Sequence, residues 1–221
     1  MLFFLFCSAT VRGEEKLSFQ KLRAAADRFA HTDPNYVKMF RNGLLNSIQQ
    51  STRSNDGTVY VKTGDIPAEW LRDASVQVRP YLFFVKEDAA IAATVKAVIW
   101  RMANNILVDP YANAFREDYT IWERKFELDS LCYPILLAWT YWKLTGDASV
   151  FNSDVRKGFE AAFDLMVLEQ DHSGERNSKQ RSNYKFKSDT QEAGLNPVVW
   201  TGMIWSGFRP SDDPCTYNFL V

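Results

Sequence analysis

The sequence predicts an all-α fold built from successive helical hairpins. Apolar residues recur with helical periodicity through most of the 221 residues, and neither heptads nor a short repeat is present. Hydrophobic residues make up 46% of the chain and aromatic residues 14%, which is enough to form a substantial core. We therefore expect an array or toroid of helices and not a parallel sheet.

Six helices and one short strand are predicted along the chain. Typical boundary residues delimit them, such as Pro34 at the start of the second helix and Gly146 after the fifth. The segment 57–63 alternates and contains β-branched residues, so it indicates a strand or one arm of a short β hairpin. The polar segment 171–193 predicts a long exposed loop. The predicted helices span 18–30, 35–50, 70–85, 88–107, 131–144 and 148–169.

The composition argues against several classes of protein. A net charge of −1 gives no electrostatic reason to bind nucleic acid or an anionic membrane. No run of eighteen apolar residues occurs, so no membrane span is predicted. His31 and His172 are predicted to be solvated loop residues, which argues against a Ser-His-Asp triad or a histidine zinc site. The three cysteines have no zinc spacing, so we predict no metal and no cofactor and leave the oligomeric state open.

The two ends of the chain differ from the rest. Residues 1–15 are an atypical segment whose apolar start resembles a weak signal peptide but lacks basic residues. A signal peptide and a frayed or incomplete start both fit, so secretory and cytoplasmic locations both stay open. Residues 16–221 are predicted to form one domain. Because the chain stops in apolar sequence at Val221, we expect a truncated product whose C-terminal portion is absent.

Three clusters, at 63–73, 122–130 and 205–213, join aromatic rings to arginine and carboxylates. Aromatic rings stack on the C–H faces of a pyranose, polar groups bind its hydroxyls, and paired carboxylates can cleave a glycosidic bond. The clusters therefore predict a sugar site. The candidate residues are Trp70, Arg72, Asp73, Trp122, Glu127, Asp129, Trp205, Arg209, Asp212 and Asp213.

Each cluster also has a purely structural interpretation. Arg72 and Asp73 fit the solvated face of a surface helix. Asp129 or Ser130 fits the N-cap of a helix that starts at Leu131. The third cluster fits an Asx turn with a surface ion pair.

For Asp129 to act as a general acid, it must hold a proton near neutral pH. A helix N-terminus favours the ionised carboxylate instead, so desolvation or a neighbouring negative charge is needed. The rings of Trp122, Phe126 and Tyr133 are expected to supply the desolvation, and Glu127 the charge.

The chain resembles glycoside hydrolase family 125, the exo-α-1,6-mannosidases. Three stretches carry the resemblance, which extends from about residue 35 to the end: TGDIPAEWLRDASVQVRPY at 63–81, WERKFELDSLCYP at 122–134 and GMIWSGFRPSDD at 202–213. The resemblance implies an (α/α)6 toroid. It also implies removal of terminal α-1,6-linked mannose, with inversion and without a metal, from a mannose-containing oligosaccharide or N-glycan.

The resemblance also implies roles for residues. Asp129 matches the position of the general acid, while Arg72, Asp73 and the 205–213 loop match segments that line the terminal-sugar pocket. The general base of the family is a glutamate in the C-terminal half, beyond the end of this chain. Six hairpins need about 300–400 residues at ordinary helix and loop lengths. We therefore expect an incomplete toroid that is inactive alone, the alternative being a non-catalytic glycan-binding fragment or pseudoenzyme.

Overall fold

A computed structural model describes residues 20–172, 184, 198–209 and 219–221 of the chain. Within these ranges the protein is mostly helical, with six α-helices, which confirms the predicted helical character. The helices are α1 (Gln20–Arg28), α2 (Pro34–Gln49), α3 (Leu71–Val78), α4 (Ala89–Val108), α5 (Leu128–Thr145) and α6 (Ser153–Leu168).

Short antiparallel strands join the helices. The first two form the predicted hairpin, in which Ser51 pairs with Val61 and Gly57 adopts a φ of 83° in the turn. The sheet order β3-β4-β5 and the β6–β7 pair were not predicted, because strands of two or three residues are too short to show an alternating pattern. The strands are β1 (Ser51–Arg53), β2 (Val59–Val61), β3 (Glu69–Trp70), β4 (Ala114–Phe115), β5 (Ile121–Glu123), β6 (Trp205–Ser206) and β7 (Phe219–Leu220).

Three predicted helices differ from the structure in their bounds. The helix predicted over 148–169 begins later, because a 3₁₀ helix spans Ala148–Val150 and α6 begins at Ser153. The helix predicted over 70–85 is divided: α3 ends at Val78 and a 3₁₀ helix follows over Arg79–Phe84. Pro80 explains the division, because it has no N–H to continue the α-helical bonding. The fifth helix begins at Leu128 and not at 131, so Asp129 lies in its first turn.

The core is centred on α4, which packs against α5, α6 and β2. Gly158 of α6 lets the two helices approach closely: a Cβ atom built there would lie 2.8 Å from the carbonyl oxygen of Ala103 in α4. Among the described residues, α4 is the one helix long and apolar enough to cross a membrane. Most of its apolar window is buried inside the fold, as in the core helix of a globular domain.

Candidate active site

Arg72 brings three carboxylates together where α3 and α5 begin. Its Nη1 donates to Glu127 Oε2 at 3.4 Å and to Asp129 Oδ2 at 3.2 Å. Its Nη2 lies 3.1 Å from Asp73 Oδ2. We call Arg72, Asp73, Glu127 and Asp129 the Arg72 cluster, and it joins the first predicted segment to the second.

The start of α3 places Arg72 and Asp73 beside α5. Leu71, the first residue of α3, is fully buried, and its amide donates to the carbonyl of Asn113 at 3.0 Å. Ala74 is buried on the same face of the helix. Since the apolar residues face the core, Arg72 and Asp73 project from another side of the helix and remain half-buried.

The start of α5 is held by the 205–208 segment. The amide of Leu128 donates to Ser206 Oγ at 3.1 Å, and that hydroxyl donates to the carbonyl of Phe208 at 3.0 Å. The prediction that Asp129 or Ser130 is the N-cap is therefore wrong, because the helix starts earlier than predicted. The hydroxyl of Ser130 instead donates to Glu127 Oε2 at 2.9 Å.

The desolvated carboxyl group is that of Glu127 and not that of Asp129, where desolvation was expected. The Glu127 side chain is 3% exposed, whereas that of Asp129 is 27% exposed. Burial raises the pKa of Glu127 to about 7, and the charges of Asp129 and Glu123 raise it as well. The hydrogen bond from Ser130 and the charge of Arg72 act in the opposite direction. Glu127 is thus a carboxyl group that titrates near neutral pH next to a more accessible one.

A fourth carboxylate, Glu123, holds the ring of Trp70. The indole Nε1 of Trp70 donates to Glu123 Oε2 at 3.2 Å, and the side-chain amide of Asn113 donates to the same oxygen at 2.9 Å. Lys125 Nζ lies 3.1 Å from the other oxygen. Sequence reasoning missed Glu123, because its place depends on the pairing of β5 with Ala114 of β4. Trp70 remains partly exposed beside the Arg72 cluster.

In β5 the side chain of Trp122 points away from that of its neighbour Glu123, because successive side chains of a strand point to opposite faces. Its ring is exposed, and the guanidinium carbon of Arg116 lies 4.6 Å from the ring centroid. The expectation that Trp122 desolvates Asp129 is therefore not met.

Trp205 lies in an aromatic core and not on a surface. Its ring is fully buried, with its centroid 5.8 Å from that of Phe126, 6.0 Å from that of Tyr184 and 5.4 Å from that of His172. No face of the ring is open for stacking on a sugar in this structure. The predicted solvated position of His172 is also wrong, because its Nε2 lies 2.8 Å from the buried carboxylate of Glu169.

Glu69, directly before Trp70 in the first cluster, is another buried carboxylate. It belongs to β3 and is fully buried, where it accepts from the Val61 amide at 2.8 Å and the Asn105 side chain at 2.9 Å. Arg101 Nε lies 3.6 Å from the same carboxylate. Burial raises the pKa of Glu69 to about 7 despite the charge of Arg101. This carboxylate therefore ties the hairpin and α4 to the segment that leads into Trp70.

The structure describes only residues 205–209 of the third predicted cluster. Arg209 is exposed at the end of the described 198–209 segment. Asp212 and Asp213 lie outside the described residues. Within the described ranges, no three His, Cys, Asp or Glu side chains are grouped as metal ligands would be.

Comparison with known proteins identifies the family. The sequence matches the family model described as metal-independent alpha-mannosidase (GH125) over residues 33–120 and 116–221. The chain therefore belongs to glycoside hydrolase family 125, which confirms the resemblance found in its sequence.

Two relatives show how much of such a protein the chain represents. One is a solved structure of a widely distributed metal-independent alpha mannosidase from Streptococcus pneumoniae, in a non-productive complex with alpha-1,6-mannobiose. It is 36% identical, with a TM-score of 0.72, over 91% of this chain and 50% of its own. The other, the meiotically up-regulated gene 157 protein of Schizosaccharomyces pombe (strain 972 / ATCC 24843), is 29% identical over 230 residues, 86% of this chain and 45% of its own. The chain thus spans about half the length of these relatives.

Proposed function

We propose that this chain supplies the acid-bearing half of an α-mannosidase site that removes terminal α-1,6-linked mannose with inversion. One observation carries the proposal: Arg72 holds Asp129 beside Glu127 and Asp73 in a member of a metal-independent mannosidase family. The α-1,6 linkage is supported by the mannobiose bound to the Streptococcus pneumoniae relative. The chemistry follows the two-carboxylate route of inverting glycosidases.

In this mechanism Asp129 donates its proton to the departing glycosidic oxygen. Its partly exposed carboxyl is accessible to a substrate, whereas the buried Glu127 is not. We therefore assign Glu127 the task of holding Arg72 in place, in contrast to the substrate contact predicted for it. Arg72 and Asp73 bind sugar hydroxyls, and the partly exposed ring of Trp70 packs on the sugar face.

The remaining candidates have supporting roles in this proposal. Trp205 is buried, so it holds the 205–208 segment against the start of α5. Trp122 and Arg209 are exposed, so we assign them to contacts with more distant sugars of an oligosaccharide or N-glycan. Asp212 and Asp213 remain candidates from the sequence for hydroxyl binding.

We assign the general base to the half of the family fold that the Streptococcus pneumoniae relative has and this chain does not match. An inverting site needs a second carboxylate at about 6.5–9.5 Å from the acid, with a water molecule between them. The fold that would place it there is the (α/α)6 toroid, to which the described helices contribute the first hairpins. The chain alone is expected to be inactive.

The experiment compares the chain alone with the chain extended by the unmatched half of the Streptococcus pneumoniae enzyme. The extended protein should release mannose from α-1,6-mannobiose, and proton NMR should show the β anomer as the first product. Asp129→Asn should lower kcat/KM by about 10²–10⁴, the usual contribution of a general acid. Asp164→Asn, an exposed carboxylate on α6, is the matched control and should leave it unchanged. Near-normal turnover in Asp129→Asn would show that the acid is elsewhere.

The alternative is a glycan-binding fragment without catalysis. Titrating the 221-residue chain with mannose, while recording tryptophan fluorescence, separates the two cases. Saturable quenching with no hydrolysis by the extended protein would favour the binding fragment. Neither quenching nor hydrolysis would reject both functions.

A further inference from the structure

A polar cavity lies between the β1–β2 hairpin and the turn that joins β4 to β5. Its volume is about 520 Å³, which falls within the range of about 300–1,000 Å³ found for small-molecule sites. The cavity shares no residue with the Arg72 cluster. Its polar lining includes Gln49, Gln50, Thr52, Tyr60, Lys62 and Glu117. We call this space the hairpin cavity.

The two walls of the hairpin cavity are fixed to each other. In the turn, the hydroxyl of Tyr119 donates to the carboxylate of Asp56 and lies 3.2 Å from Thr58 Oγ1, and both partners belong to the hairpin. From the core, Nη2 of the fully buried Arg101 donates to the carbonyls of residues 116 and 117 at 2.7 Å each. The cavity is therefore a preformed space and not a gap between two loose loops.

The turn itself holds a strained residue. Among the described residues, Tyr119 is the one non-glycine residue with a positive φ, at 68°. This left-handed conformation is unfavourable for a residue with a Cβ atom. The guanidinium carbon of Arg101 lies 3.6 Å from the centroid of the Tyr119 ring and helps to keep it in place. Strain of this kind persists where surrounding contacts impose it, and it is concentrated at ligand sites.

Several polar groups at the hairpin cavity are available to a ligand. Within the described part of the chain, the Lys62 ammonium and the Glu117 carboxylate make no hydrogen bond or ion pair with another side chain. The side-chain amides of Gln49 and Gln50 are exposed and have no such partner there either. Burial and nearby carboxylate charges raise the pKa of Tyr60 to about 12, so its hydroxyl keeps its proton. The cavity thus offers both donors and acceptors.

The balance of charge indicates a neutral ligand that is rich in hydroxyl groups. Lys62 and Arg116 line the cavity with positive charge, and Glu117 and Asp118 line it with an equal negative charge. Carboxylates repel an anion, and the two basic side chains repel a cation. A hydroxyl both donates and accepts, so a saccharide can bridge an ammonium and a carboxylate. The exposed ring of Trp122, 4.6 Å from the guanidinium carbon of Arg116, adds an aromatic ring beside the cavity wall.

We propose that the hairpin cavity is a second, non-catalytic carbohydrate site that holds about one or two uncleaved units of a neutral oligosaccharide. The inference goes beyond the proposed function, because binding here requires neither the Arg72 cluster nor cleavage of a glycosidic bond. Strand β5 connects the two sites: Trp122 lies beside the cavity wall, and its neighbour Glu123 holds the ring of Trp70.

The test follows a titration of the isotope-labelled 221-residue chain with α-1,6-mannobiose by two-dimensional NMR. The side-chain amides of Gln49 and Gln50 report directly on the hairpin cavity, and the variants Gln49→Glu and Gln50→Glu assign their signals. Both signals should shift in a saturable way, with a Kd of about 1 mM or below. Inorganic phosphate at the same concentrations should leave them in place.

Two substitutions remove the charged groups of the hairpin cavity. Lys62→Met and Glu117→Ala should each weaken the binding about tenfold, as expected when a hydrogen bond to a charged group is lost. Lys157→Met and Glu160→Ala are the matched controls, since both side chains are exposed on α6, and they should bind as the unmodified chain does.

Saturable glutamine shifts that both cavity variants weaken and both controls retain would support the proposal. No shift of the glutamine signals, or full affinity in Lys62→Met and Glu117→Ala, would overturn it. Shifts produced by phosphate and not by mannobiose would overturn it as well, because they would identify an anion site. Saturable mannobiose shifts in a chain whose extended form releases no mannose would still support the second site and would contradict the proposed function instead.

Discussion

Replacing Glu127 with glutamine tests whether a desolvated carboxyl lies beside Asp129. Glu127 is 3% exposed, and its pKa is raised from 4.5 to about 7, chiefly by burial. Glutamine keeps the shape of the protonated side chain but cannot ionise. The variant therefore resembles the native protein at low pH and differs from it once Glu127 becomes charged.

The sign and the magnitude of the effect follow from the raised pKa. Because the folded state holds this proton more tightly than the unfolded chain, its contribution to stability is complete below pH 4.5. It is lost as the pH rises through about 7. A tenfold difference in proton affinity between the folded and unfolded states is worth about 1.4 kcal/mol, so the loss approaches about 3 kcal/mol above neutral pH. In a domain of this size that equals a fall in Tm of roughly 6–12 °C.

The assay is the Tm of the chain and of Glu127→Gln, recorded by circular dichroism at half-unit steps from pH 4.5 to 8.5. The two curves should coincide near pH 4.5 and separate as the pH rises, with the variant more stable. Glu69, whose pKa is also raised, is common to both proteins, so its effect cancels in the difference. Glu160→Gln, on the exposed side of α6, should follow the unmodified chain. If the Tm curves of the chain and of Glu127→Gln stay parallel at every pH, Glu127 is not a buried carboxyl with a raised pKa.

Three further substitutions test the packing and the cluster. Gly158→Ala should destabilise the chain by about 1–3 kcal/mol relative to Gly43→Ala in thermal unfolding, because only the former drives a Cβ into a neighbouring backbone; equal stability would contradict the close α4–α6 approach. Arg72→Lys should weaken mannose quenching of tryptophan fluorescence about tenfold, since lysine lacks the fork that reaches several carboxylates at once. Unchanged quenching would show that Arg72 does not contribute to mannose binding. Ser206→Ala should cost about 1–3 kcal/mol in urea unfolding, because it leaves the buried amide of Leu128 without its acceptor. A loss below about 0.5 kcal/mol would show that water or another group replaces the hydroxyl.

Helices were predictable because their signal is local and repeated. The runs that became α2, α4 and α6 contain several turns of apolar periodicity, and each ends near its predicted boundary. The β hairpin was predictable from its β-branched residues, and the family from three long stretches of sequence. The break after α3 was missed by the prediction of one helix over 70–85, and Pro80 supplies its physical reason.

Whether these polar side chains are buried or solvated depends on partners that lie far away in the chain. Glu69 is buried because Arg101 and Asn105 of α4 meet it, and His172 is buried beside the ring of Trp205 in an aromatic core. None of these partners is marked by a local pattern.

By itself, the sequence determined the helical class, the family and the identities of the residues in the Arg72 cluster. Only the tertiary structure decided that Glu127, and not Asp129, is the desolvated carboxyl, that Trp205 packs inside, and that Trp122 points away from Glu123. The reason is physical: periodicity records which side of an element is apolar. The environment of a charge depends on which elements pack around it, and here those elements include strands of two or three residues.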